Sequence, residues 1–317
     1  MVTPPRVVAV VVAYNRRDLL VEVLSALSKQ TRPVEAIVVV NNASTDDTSQ
    51  VVRTWAEAIT LIDLAENTGG AGGFAVGMAA AVTRHNPDWI WVMDDDTVPE
   101  RNALLGLMNT ATAYQGKNLA AVGSRVEWTD GGEHPMNTPR FNPFATAREK
   151  RAAHTVEAMP VRSLSFVSSM YRADVVRSVG YPIADYFLWN DDFEYSTRVL
   201  KGRCGLSSAA SVVVHKTARR GSTDDDPGAR FRFEVRNKIW LFRYSQSLRP
   251  GEKVVYGASS VARWARTFMR SAERKVLREG FTQGRREAEE RPPRSNAETL
   301  KDAGVPEDIF AELRRAE

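Results

Sequence analysis

The first ordered pattern in the chain is an unbroken apolar run, Val7 to Ala13, made of valine and alanine alone. β-Branched residues with no polar alternation predict a strand buried on both faces. After Tyr14-Asn15-Arg16-Arg17 the spacing changes, and Leu19, Leu20, Val23, Leu24 and Leu27 recur at helical intervals. The unit then repeats: a strand at Ala36 to Val40, a turn-rich stretch Asn41-Asn42-Ala43-Ser44-Thr45-Asp46-Asp47, and a helix carrying Val51, Val52 and Trp55. Leu61 to Leu64 predicts a third strand, Asn67 to Gly73 a glycine-rich loop and Phe74 to Thr83 an alanine-rich helix. Trp89 to Met93 predicts a fourth strand that ends in Asp94-Asp95-Asp96. Strands alternating with helices indicate an α/β fold, Rossmann-like, with a mostly parallel sheet covered by helices on both faces. Ligands of such sheets gather at the carboxyl ends of the strands, where these loops lie.

Periodicity fades from Glu127 to about Met159, a stretch rich in Pro, Gly, Asn and Thr that reads as a long loop or insertion with a functional role. Order returns at Leu164 to Tyr171, in a helix from Ala173 to Val179, in the segment Phe187 to Arg203, and in a strand at Val212 to Val214 before His215. Beyond the acidic, glycine-containing stretch Gly221 to Gly228, helical patterns run from Phe231 to Tyr244 and from about Glu252 to Glu279. Pro292-Pro293 sets off a polar tail, of which Pro306 to Arg315 predicts one short helix.

Composition adds little to this and excludes several classes. With 317 residues and 43% apolar content, the chain has length for one large domain or two small ones. Val7 to Ala13 is too short to span a bilayer and lacks the order of a signal peptide. The single cysteine, Cys204, cannot form an internal disulfide, which fits a cytoplasmic location. A net charge of +4 is too small to suggest a nucleic acid partner. Charge is nevertheless uneven: Lys253 to Arg278 holds seven basic residues against one acid, Glu273. Val261, Trp264, Ala265 and Phe268 in that stretch share one helical face, which can either meet an anionic membrane surface or pack on the rest of the protein.

Two acidic motifs carry the candidate chemistry. Asp94-Asp95-Asp96 places three carboxylates at a strand end, where their repulsion calls for a cation; oxygen ligands select Mg2+ or Mn2+. Helix capping with a solvated acidic turn is the competing explanation. Trp189-Asn190-Asp191-Asp192-Phe193-Glu194-Tyr195 sets acids among aromatic residues, an environment that raises a carboxylate's pKa toward that of a general base; a capped helix with surface acids would have the same composition. The glycines of Asn67-Thr68-Gly69-Gly70-Ala71-Gly72-Gly73 suit either close ligand approach at a helix start or packing. His215, after a strand, is a weak signal by itself, and His85, His134 and His154 receive no role.

Taken in order, Val12-Ala13-Tyr14-Asn15-Arg16, Asn41 to Thr48, Asn67 with its glycines, the triple aspartate, Asp191-Asp192-Phe193-Glu194 with Arg198, and His215 resemble the inverting, GT-A-fold glycosyltransferases of family 2. The resemblance covers about residues 6 to 216. It implies nucleotide contacts at Ala13, Tyr14, Asn15, Arg16, Asn41, Asn67 and Asp95, with Asn41 standing where the family usually has Asp. It also implies a metal, Mn2+ or Mg2+, held by Asp94, Asp96 and His215. Asp192 would be the base in a single inverting displacement, while Gly70, Trp189, Asp191 and Glu194 would meet the donor sugar or acceptor. Within the family the motifs and basic C-terminal extension look most like actinobacterial galactofuranosyltransferases that begin cell-wall galactan synthesis. That likeness implies UDP-galactofuranose as donor, a rhamnosyl-GlcNAc polyprenyl-diphosphate acceptor and peripheral association with the cytoplasmic face of the plasma membrane. A rhamnosyltransferase using dTDP-rhamnose shares most of these motifs, and a sugar-phosphate nucleotidylyltransferase is the alternative from another class. The corresponding division is a nucleotide-sugar-binding half at 1–125, an acceptor-binding and catalytic half at 126–222, and a helical extension at 223–317.

Overall fold

A computed structural model describes residues 4–55, 59–220 and 226–317, so most of the acidic stretch Gly221 to Gly228 lies outside the described residues. The first half consists of β1 (Val7–Ala13), α1 (Arg17–Ser28), β2 (Ala36–Asn41), α2 (Thr48–Arg53), β3 (Ile59–Asp63), α3 (Gly69–His85) and β4 (Trp89–Asp94). β1 pairs in parallel with β2 and β4, and β2 with β3. Every residue of β1 is buried because alternate side chains enter separate cores. Val8, Val10 and Val12 pack with α3, whereas Val7, Ala9 and Val11 pack with α1. This two-sided burial is why the strand reads as a continuous apolar run.

α3 starts at Gly69, so the glycines expected in a loop form the opening turns of the helix. Proximity accounts for the glycines there: a Cβ on Gly73 would lie 2.5 Å from Val12 Cγ1, so glycine lets the first turns rest directly on β1.

The chain continues through β5 (Thr97–Pro99), α4 (Ala103–Ala113), β6 (Leu119–Glu127), β7 (Arg140–Phe141), α5 (Ala147–His154), β8 (Ala158–Ser163), β9 (Ser169–Arg172), α6 (Ala173–Val179), α7 (Asp191–Val199) and β10 (Cys204–His215). Among the described residues the strands form one ten-stranded sheet, ordered β3-β2-β1-β4-β9-β6-β10-β8-β7 with β5 on β10. Its pairings give most strands a common direction, opposed by β5, β8 and β9. The helix expected just behind the triple aspartate is therefore preceded by a short strand, β5. The region expected as a long loop carries β7 and α5, the latter closed by a reciprocal Thr146–Glu149 cap. These elements are too short and polar to leave a period.

Five helices follow: α8 (Phe231–Arg243), α9 (Pro250–Arg270), α10 (Arg274–Glu290), α11 (Asn296–Thr299) and α12 (Glu307–Arg315). The single helix expected over Glu252 to Glu279 is broken at Ser271, whose hydroxyl donates to Asp226 and accepts from the Glu273 N–H. A serine that satisfies a neighbouring backbone group in this way competes with helix continuation. The break lets α10 fold back on α8, where Leu277 meets Phe231 and Val235. The polar tail also returns to the domain: Ile309 and Leu313 of α12 are fully buried with α3, and Arg84 forms a two-pronged ion pair with Asp308.

Candidate active site

Strand register assembles the first cluster. β4 ends with Asp94 opposite Val12 of β1, and Ala13 of β1 lies opposite Asn41 of β2. The end of β10 pairs antiparallel with β5, putting His215 opposite Thr97 and hence beside the aspartates. One ligand atom each from Asp94, Asp96 and His215 lies within 4.8 Å of the others. Burial, then the charges of Asp96 and Asp95, push the Asp94 carboxyl well above its ordinary range. Asp96 is buried too, yet its contacts with His215 and Arg16 outweigh that and hold it below the ordinary range.

The histidine geometry tests whether a cation fits. His215 Nδ1 lies 2.9 Å from Asn137 Oδ1, a hydrogen bond that fixes the orientation of the ring. Its Nε2 lies 3.1 Å from Asp96 Oδ1, a buried oxygen with no well-aligned hydrogen-bond partner. A carboxylate, a carboxylate and an imidazole ordered by an outer hydrogen bond form a donor set suited to a divalent cation.

The nucleotide candidates surround this cluster. Asp95 accepts the Tyr14 backbone N–H at 2.8 Å and one Arg16 N–H at 3.3 Å; Arg16 also reaches Asp96. Burial raises Asp95 to about 6 despite these contacts. Asn15, at a φ of +53°, accepts the Thr45 N–H at 2.7 Å and ties the loops after β1 and β2 together. Tyr14 is 44% exposed, so its ring is free to meet a planar base. Asn41 is buried and engaged by protein: its amide donates to Ser49 and Asp63, and its oxygen accepts the Ser44 N–H. Ala13 is buried and offers its carbonyl to the Asn42 N–H. Asn67 accepts from Asn42 and from the Gly69 N–H, and Asn42 in turn holds Thr68 and Gly69. The loop before α3 is thus clamped by an asparagine to which the sequence reading gave no separate role.

Gly69 has a φ of +70°, and a Cβ there would lie 2.0 Å from the Phe187 carbonyl oxygen; its absence admits the chain that carries the second acidic motif. Gly70, in contrast, faces Asp191: a Cβ would meet Asp191 Oδ2 at 3.9 Å. Asp191 also adds to the repulsion at Asp94, so the two acidic motifs lie near enough for their charges to interact.

The segment entering α7 is strained. Phe187, Trp189 and Asn190 have φ values of +62°, +67° and +63°, a region that costs such residues about 1–3 kcal/mol each. Asn237 of α8, fully buried, holds the segment with one amide nitrogen that donates to the carbonyls of Tyr186, Leu188 and Trp189 at 2.8–2.9 Å. Arg236 adds bonds to the Asp185 and Tyr186 carbonyls. The half-buried Trp189 and the first turn of α7 are positioned by this brace.

Asp191 and Asp192 differ in surroundings. Burial, then Asp192, raises Asp191 to about 8. Burial raises Asp192 as well, but the Phe193 N–H, the Lys238 and Arg140 charges and the Ser165 hydroxyl oppose it. The two cations flank Phe193, with Lys238 Nζ 5.1 Å and Arg140 Cζ 5.4 Å from its ring centroid. Burial lowers Lys238 to about 8.

Glu194 corrects an expectation. It is 2% exposed, and its oxygens accept from Arg198 and Ser245, while Arg198 spans to the Val179 and Tyr181 carbonyls. A carboxylate committed in this way braces α7 and has no oxygen free for an acceptor hydroxyl. Asn137, Asn237, Lys238 and Arg140 were missed. An Asn-Lys pair inside an apolar helical pattern was a readable signal for the middle two; Asn137 and Arg140 stood in aperiodic sequence and had none.

Comparison with known proteins agrees with this architecture. The sequence profile of Glycosyl transferase family 2 matches residues 8–180, just over half of the chain. Galactofuranosyltransferase GlfT1 of Mycobacterium tuberculosis is 27% identical over 252 residues, spanning 74% of this chain and 81% of that protein. O-antigen chain rhamnosyltransferase WbaN of Salmonella anatum is 24% identical over 195 residues, 60% of this chain and 58% of that one. Among solved structures, S. aureus TarS 1-349 in complex with UDP-GlcNAc superposes with a TM-score of 0.59 at 13% identity, covering 98% of this chain and 88% of that one. The mannosyltransferase PcManGT of Pyrobaculum calidifontis, in complex with GDP-Man and Mn2+, has a TM-score of 0.54 at 19% identity, covering 99% and 86%. The fold is that of the GT-A glycosyltransferases.

Proposed function

This chain belongs to glycosyltransferase family 2, and from that membership we propose that it transfers galactofuranose from UDP-galactofuranose to a rhamnosyl-GlcNAc polyprenyl-diphosphate acceptor, with inversion at the anomeric carbon. The observation that carries the chemistry is the proximity of two acidic clusters, Asp94, Asp96 and His215 at the sheet edge and Asp191 and Asp192 at the start of α7. The similarity to GlfT1, which runs through the catalytic region and into the C-terminal helices, favours the galactofuranosyl donor.

Inverting transfer needs a nucleophile aligned opposite the leaving group, a base for its proton and a place for the negative charge left behind. Tyr14, Asn15, Arg16 and Asn67 would meet the nucleotide, and Asp95 orders the loop bearing Tyr14 and Arg16. A divalent cation, Mn2+ or Mg2+, held by Asp94, Asp96 and His215 would neutralise the diphosphate leaving group. Asp192 accepts the acceptor hydroxyl's proton as that oxygen bonds to the anomeric carbon and the bond to the diphosphate oxygen breaks. The Lys238 and Arg140 charges oppose the upward shift that burial imposes on Asp192. Asp191, next to Gly70, and Trp189 border the sugar position.

Among the described residues no helix is long and apolar enough to cross a membrane. A rhamnosyltransferase using dTDP-rhamnose is the second reading, favoured by the similarity to WbaN. A nucleotidylyltransferase draws no support from either relative. The deciding experiment offers the protein UDP-galactofuranose, other UDP-sugars and dTDP-rhamnose with a rhamnosyl acceptor, and determines the product linkage. Galactofuranose on the rhamnose is expected; turnover of dTDP-rhamnose alone would transfer the assignment to the second reading.

A further inference from the structure

Helix α9 carries apolar side chains on both its inward and its outward face. Its inward face spends polar groups: Glu252 pairs with Arg162, and Arg263 pairs with Glu234, which also binds Asn190 beside the candidate base. Trp264 and Phe268 also point inward, against Phe231 and Phe281. The membrane-facing role considered for those two aromatics from sequence is thereby withdrawn. The outward face is apolar as well. Val254, Val255, Val261 and Met269 are exposed by 72%, 67%, 62% and 66%, and they recur along some four turns. Scattered apolar residues on a surface are ordinary, but four large ones aligned on one helix face are not.

Charge indicates what covers this stripe. Arg266 and Arg270 are exposed at its C-terminal end, and Arg274 and Lys275 continue from the start of α10. The acid of α9, Glu252, is turned inward and paired, leaving Glu273 as the exposed acid of this stretch. An apolar face rimmed by cations complements a bilayer surface containing anionic phospholipid: aliphatic side chains enter the acyl boundary while guanidinium groups meet phosphates. We propose that α9 is a membrane-docking helix that lies flat on an anionic bilayer through Val254, Val255, Val261 and Met269. The inference deepens the lipid-linked-acceptor reading. Through Arg263, Glu234 and Asn190, the docked helix is tied to the entrance of α7, which carries the candidate base.

The test is flotation of the full chain with vesicles of equimolar phosphatidylglycerol and phosphatidylcholine, and with pure phosphatidylcholine vesicles, with no substrate present. Wild type is expected to float with the anionic vesicles. The variant carrying Val254→Asp, Val255→Asp, Val261→Asp and Met269→Asp should lose about tenfold or more in partitioning. Arg266→Glu with Arg270→Glu should abolish the preference for anionic over neutral vesicles. All these positions are exposed, and turnover of a water-soluble rhamnosyl acceptor should be unchanged in both variants. Equal flotation of wild type and the four-aspartate variant would overturn the proposal. So would a wild-type dimer that does not float and that the same substitutions convert to monomer, which would make a second copy the occupant. Failure of the lipid-linked-acceptor reading would appear differently, as vesicle binding without transfer to a lipid acceptor.

Discussion

Replacing Asn237 should separate the strained approach to α7 from the rest of the fold. Its amide N–H groups are shared among the carbonyls of Tyr186, Leu188 and Trp189, in a site with no solvent exposure. Asn237→Ala deletes the two donors and leaves buried carbonyls without partners, a loss of about 2–4 kcal/mol in unfolding free energy. Phe187, Trp189 and Asn190 would then relax from their positive φ values and recover part of that strain locally, with a shift of Asp191 and Asp192. Small displacements of reacting groups cost on the order of a hundredfold in rate, so kcat should fall far more than stability alone explains. Asn237→Asp should be worse than alanine, because it sets a carboxylate against carbonyl oxygens. The assays are urea denaturation, calorimetric UDP affinity in the presence of Mn2+, and steady-state UDP release with acceptor. UDP affinity should hold while kcat falls. Wild-type kcat in Asn237→Ala, or an Asp variant as stable as the Ala one, would refute the bracing argument.

Lys238→Met removes a charge that lowers the Asp192 pKa, so Asp192 should keep its proton to higher pH; the acid limb of the kcat–pH profile should move upward, and an unmoved limb would detach Lys238 from the base. Asn137→Ala frees His215 to rotate. Mn2+ affinity, read by calorimetry, should weaken about 10–100-fold while the folded structure persists. Glu194→Gln weakens the ion pair with Arg198 inside α7's packing, so it should lower the melting temperature and leave acceptor KM close to wild type. A selective rise in acceptor KM would return Glu194 to the acceptor site.

Long, doubly buried strands were legible because two-sided burial writes an uninterrupted apolar run, as in β1 and β4. The loops at their carboxyl ends followed from that alternation. The C-terminal half was harder to read for physical reasons. β7 and α5 are too short to show a period, and Ser271 looks like an ordinary helical residue until its hydroxyl is seen bonded outside the helix. The orientation of α9 was hidden because apolar residues lie on both of its faces, so periodicity alone could not tell which one packs. At the site, carboxylates announced themselves by clustering. Their supports, Asn137 and Asn237, are single amides whose meaning comes only from the backbone and imidazole atoms they reach. Glu194 had the same sequence signature as its neighbours and a different fate, because one helical turn turns it toward Arg198.

The account depends most on Asp192 taking the acceptor's proton. Its direct test is steady-state UDP release from UDP-galactofuranose with a rhamnosyl acceptor and Mn2+, comparing wild type with Asp192→Asn. Asparagine keeps the volume and cannot accept the proton, so kcat should fall about a hundredfold or more while donor affinity is retained. Near-normal kcat in Asp192→Asn would contradict the account and leave the neighbouring Asp191 as the residue to test.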